Sequence, residues 1–70
     1  MSLHQAYALA FEFALIDSEC IQRIASQCQL STQAVVDLLD QLAENDHFVY
    51  HQGKYWNRAT TRPFATNNSI

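Results

Sequence analysis

The stretch IASQCQLSTQAVVDLLDQLAENDHFV, residues 24–49, holds two helical periods with a break between them and then a change of period. Ile24, Ala25 and Cys28, with Ile21 just upstream, recur at the spacing of one helix face. Gln29-Leu30-Ser31 interrupts that face, and Ser31 or Thr32 offers the oxygen that caps a new helix. The spacing predicts that helix over residues 32–44, with Val35, Leu38 or Leu39, and Leu42 toward the core. Asn45-Asp46 is the expected stop, since both side chains tolerate left-handed backbone.

Downstream the period shortens. Phe48-Val49-Tyr50 and Tyr55-Trp56 are strand-like, and Gln52-Gly53 between them supplies a two-residue turn. That loop pairs His51 with Lys54, Tyr50 with Tyr55 and Val49 with Trp56. Val49 and Trp56 then share a face, expected to be the one toward the helices. Residues 59–70 are polar and aperiodic, and are expected to form a flexible C-terminal tail after a domain spanning 1–58.

Upstream, Asp17 and Ser18 can cap the helix that carries Ile21, and Glu19 suits its positive end. A first helix is expected from residue 3 to about residue 15, where no breaker intervenes. Leu3, Ala6, Ala10, Phe13 and Ala14 make one face of it, and Tyr7, Phe11 and Leu15 widen that face around the cylinder. A helix apolar over most of its circumference is buried on more than one side. The second side is either one wide face on the core, or a surface for a partner protein or another copy of the chain.

Helix, helix, turn, helix, hairpin in this order resembles the winged helix-turn-helix superfamily. Ile24, Ala25, Leu30, Ser31, Val35, Leu39 and Leu42 fill that superfamily's core and turn positions. Cys28 stands where Leu is usual, and Gln29 and Asp46 stand where Gly is usual. The resemblance covers about half the chain and implies a mainly α fold of three helices with a small β-hairpin. It speaks to fold more than to function. In DNA-reading members the early part of the third helix enters the major groove. The resemblance maps Thr32, Gln33, Val36, Asp37 and Asp40 onto those places.

Charge argues against that use. DNA binding draws its affinity from cations that displace condensed counterions, yet residues 32–44 hold Asp37, Asp40 and Glu44 and no Lys or Arg. These acids recur at i, i+3 and i+7 and so form one stripe. Seven carboxylates and Arg23 give residues 1–46 a charge of −6, whereas Lys54, Arg58 and Arg62 give residues 47–70 a charge of +3. Such a split suits contact with two different surfaces, or head-to-tail contact between copies. Nucleic acid has a better claim on the wing and tail. There Tyr50, His51, Lys54, Tyr55, Arg58 and Arg62 make a basic-aromatic group, with Thr32 and Gln33 as candidate base contacts.

Composition and motifs narrow the classes further. With 49% hydrophobic and 16% charged residues, 70 residues suit one small globular domain rather than a disordered chain. Cys20 and Cys28 on one helix would lie about 12 Å apart along its axis, beyond the roughly 7 Å a disulfide tolerates. Reduced thiols and a cytoplasmic location are expected. Glu12 interrupts the apolar stretch 6–16, so neither a signal peptide nor a membrane span is expected. His47 and His51 are four apart on a strand, and no Cys–His cluster has zinc-ligand spacing. No metal, cofactor or catalytic residue is expected, and so no enzyme.

Two functions remain open. One is a non-enzymatic interaction module that binds a basic protein through Gln33, Val36, Asp37, Asp40 and Glu44, through Tyr7 and Phe11 on the first helix, or through both. The other is a DNA-binding regulator that uses the wing and basic tail, dimeric through the first helix. A homo-oligomeric scaffold is a third expectation.

Overall fold

The computed structural model describes residues 3–60. Along the chain run α1 (Leu3–Ala10), β1 (Leu15–Ile16), α2 (Ser18–Cys28), α3 (Thr32–Glu44), β2 (Phe48–His51) and β3 (Lys54–Asn57). The three strands form one antiparallel sheet in the order β1-β3-β2. Three helices with this sheet are a winged helix-turn-helix arrangement, mainly helical.

Local chemistry fixes the ends of α2 and α3. The Asp17 carboxylate accepts the Cys20 backbone N–H at 3.0 Å, and the Ser31 hydroxyl accepts that of Ala34 at 3.1 Å. Each satisfies one of the donors a helix start leaves over. Both helices then end in the same way. Gln29 adopts φ 57° while Leu30 N–H reaches back to Ala25 O at 2.9 Å. Asp46 adopts φ 67° while His47 N–H reaches back to Leu42 O, also at 2.9 Å. These are Schellman closures, in which a left-handed residue lets the next N–H cap the last turn. Glycine does this without steric cost. Here Gln29 and Asp46 do it instead.

The hairpin has the expected register, with His51 opposite Lys54, Tyr50 opposite Tyr55 and Val49 opposite Trp56. Gln52 (φ 57°) and Gly53 (φ 78°) are both left-handed, as a type I′ turn requires. The expected orientation of the sheet is reversed, however. Phe48, Tyr55 and Asn57 are buried against the helices with Ile16. Leu15, Trp56 and Val49 form one half-buried row across the opposite face.

α1 also departs from expectation, ending at Ala10 rather than near residue 15. Glu12 N–H bonds Leu9 O and Phe13 N–H bonds Ala10 O, a tightened last turn. The chain then extends so that Leu15 and Ile16 pair with Trp56 and Tyr55. Asn57 secures this exit. Its Nδ2 donates to Phe11 O (3.2 Å) and Phe13 O (3.1 Å), its Oδ1 accepts Ala59 N–H (2.9 Å), and its own N–H bonds Ala14 O (3.0 Å). The apolar girdle expected over residues 3–15 is therefore not a helix surface. With Phe13, Ala14 and Leu15 outside α1, the helix offers a second copy of the chain less apolar surface than a helix over residues 3–15 would.

Ala6 and Ala10 on α1, Ile24, Ala25 and Cys28 on α2, and Val35, Leu38, Leu39 and Leu42 on α3 meet Ile16, Phe48 and Tyr55 in one core. Cys20 and Cys28 both lie on α2 as free thiols. Among the described residues, no helix is long and apolar enough to cross a membrane. Of the tail, Ala59 and Thr60 are described, and Thr60 N–H turns back onto Asn57 O. The rest of the expected tail, including Arg62, lies outside the described residues.

Candidate functional site

α3 presents Thr32, Gln33, Asp37, Asp40, Gln41 and Glu44 as exposed residues, while Val36 is half-buried. Two of the three carboxylates are held in place. Gln33 Nε2 donates to Asp37 Oδ1 at 3.0 Å, one helical turn away. The Tyr55 hydroxyl donates to Asp40 Oδ1 at 2.5 Å, which joins the wing to α3. Fixing a carboxylate in this way lowers the side-chain entropy a partner would otherwise have to remove.

Tyr55 is thereby withdrawn from the nucleic-acid group. The residue is 4% exposed and its ring cannot stack on a base. Burial raises its phenol pKa well above the ordinary value, and the hydrogen bond to Asp40 adds to the rise. Tyr50 lies on the same face of the sheet but beyond the cover of the helices. It is 60% exposed, with its ring 4.8 Å from that of Tyr55. An exposed aromatic ring thus flanks the acidic row, one residue removed from Asp40.

Strand alternation divides the remaining wing residues. His51 and Lys54 pair across the turn and share the face of Val49 and Trp56, away from Tyr50 and Tyr55. Arg58 faces Asp46 at 3.6 Å, an exposed pair of small energetic weight. The basic-aromatic group expected from sequence is therefore not one surface.

α1 contributes unevenly to the acidic face. The Tyr7 hydroxyl donates to Gln41 Oε1 at 3.1 Å, which brings Tyr7 beside α3. Phe11 lies past the end of α1, 41% exposed, edge-on to His47 and tilted against Phe48 with centroids 5.6 Å away in each case. It opens on a separate hollow with Asp46, His47 and Arg58. Tyr7 joins the acidic residues and Phe11 does not. Gln41 and Asn57 were not anticipated. Gln41 continues the exposed face of α3 at helical spacing from Asp37, a signal present in the sequence. Asn57 has no such signal, because its partners lie more than forty positions upstream.

Among the described residues, no three of His, Cys, Asp and Glu converge as metal ligands. Comparison with known proteins gave no match to a family model, a curated protein or a solved structure.

Proposed function

We propose that this chain is a non-enzymatic interaction module of the winged helix-turn-helix superfamily, which binds a basic protein through the exposed face of α3. One observation carries it: where a DNA reader would present cations, α3 presents Asp37, Asp40 and Glu44, with Asp37 and Asp40 held by Gln33 and Tyr55. Carboxylates on that face repel phosphates and attract Lys and Arg. Tyr50 at the edge of the row offers a ring for the partner's cations to cover. A cytoplasmic setting goes with this function, since both thiols on α2 are free.

Reversing charge without disturbing the wing is the test. Asp37→Lys with Glu44→Lys leaves the Asp40–Tyr55 bond intact. The double variant is expected to lose a basic partner retained by the wild-type chain, and high salt is expected to have the same effect. Retention under both conditions contradicts the proposal.

The second function, DNA binding through the wing, draws support from exposed Tyr50 and from Lys54 at the hairpin. It predicts duplex binding at low salt that is lost with Lys54→Ala and Arg58→Ala. An NMR titration with generic duplex that moves no wing resonance removes it.

A further inference from the structure

A shallow groove of about 260 Å³ runs between α1 and α3, lined by Leu3, Tyr7, Ala34, Asp37, Leu38 and Gln41. Its floor is Leu38, 3% exposed, and one wall is Leu3, 48% exposed. The Tyr7–Gln41 hydrogen bond crosses between the two helices beside it. Ala34 leaves the room, because a larger side chain at that point on α3 would occupy it. The volume is below the range of pockets that take a drug-sized ligand, which begins at about 300 Å³. It suits one or two aliphatic side chains instead.

We propose that this groove seats an aliphatic side chain of a basic amphipathic segment in the partner protein, with a neighbouring Lys or Arg of that segment reaching Asp37. The inference rests on the protein-binding function proposed above and names the chemistry of the partner. Charge complementarity selects the occupant. Asp37 belongs both to the groove rim and to the acidic row, and neither α1 nor α3 carries a Lys or Arg. A chain that places Leu, Ile or Met in the groove thus sets its next helical turn near the carboxylates of α3, with no Lys or Arg on either helix to oppose a cation. Lys or Arg at i+3 or i+4 from the anchor satisfies both features.

Methyl and amide NMR of the full chain, titrated with two synthetic peptides of equal length and lysine content, tests this. One peptide carries leucines a helical turn apart, and the other carries serines in their place. The lysine–leucine peptide is expected to bind more tightly and to shift the methyl signals of Leu3, Ala34 and Leu38. Both peptides are expected to shift the Asp37 amide. Leu3→Gln, at a residue too exposed to endanger the fold, should weaken the leucine peptide about fivefold and leave the serine peptide unchanged. Equal binding of both peptides with unmoved groove methyls overturns the groove while leaving the acidic face standing. Leucine-dependent shifts at Phe11 and His47 instead also overturn it. If neither peptide binds at low salt, the acidic face falls and the groove with it.

Discussion

The Tyr55 hydroxyl donates to Asp40 Oδ1 across 2.5 Å, so the central strand of the sheet is tied to the exposed face of α3. Asp40 is on that account both a surface charge and a structural acceptor, unlike Glu44. Tyr55→Phe should lower stability by about 1.5–3 kcal/mol, the ordinary net worth of a hydrogen bond to a charged group. Asp40→Asn keeps an acceptor and should cost less. Urea midpoints for the two single variants and the double variant check this, with sub-additive losses as the mark of a direct contact.

Alkaline stability follows from the same pair. The folded-state pKa of Tyr55 is raised, first by burial and then by Asp40, above the value of about 10 that the unfolded chain has. Its contribution is fully present below pH of about 10 and is lost as pH rises from there through the folded value. Unfolding free energy of the wild type should therefore fall more steeply above pH of about 10 than that of Tyr55→Phe. Asp17 acts in the opposite sense. The Cys20 N–H holds its carboxyl pKa below the ordinary value, so its contribution exists above the unfolded pKa and is lost as pH falls through the folded one.

Asn57 should be the most sensitive polar position. Its side chain closes three hydrogen bonds at 2% exposure, two of them to carbonyls freed where α1 ends. Asn57→Ala strands those carbonyls at a cost of about 2–4 kcal/mol, a large share of the stability of a domain this small. Asn57→Asp presents a carboxylate to two carbonyl oxygens and should be no better. Thermal unfolding of both variants, with unchanged midpoints as the contrary result, decides the point.

Gln29, exposed with φ 57°, should gain from glycine. Gln29→Gly removes left-handed strain of about 1–2 kcal/mol at a helix end, less the unfolded-state entropy of glycine, and is expected to add about 0.5–1 kcal/mol. Gln29→Val, β-branched in the same conformation, should destabilise. At Asp46 the gain from glycine is offset by loss of the Arg58 ion pair, so Asp46→Gly should move the urea midpoint less than Gln29→Gly does.

What the sequence made legible follows the range of the forces involved. Ser31, Asn45-Asp46 and Gln52-Gly53 act on their own neighbours, so the bounds of α3 and the register of the hairpin could be read from them. α1 carries no stop residue. It ends because β3 pairs with Leu15 and Ile16 and because Asn57 takes the carbonyls of Phe11 and Phe13, partners invisible in a local pattern. Alternation showed that Val49 and Trp56 share a face, but not which face is buried. Phe48 and Tyr55 take the core side, where Asp40 can accept the Tyr55 hydroxyl. The acidic row was likewise legible as charges at helical spacing. Its bracing by Gln33 and Tyr55, and the separation of Phe11 from it, required the tertiary structure.

Capture of binding partners from the native host by wild-type chain and by Asp37→Lys/Glu44→Lys, at low and at high salt, tests the proposed acidic interface most directly. A protein-binding face on α3 predicts that the wild type retains a basic protein at low salt, releases it at high salt, and that the double variant retains none. A partner held equally by both chains at both salt concentrations, or nucleic acid captured in its place and lost with Lys54→Ala, would contradict it.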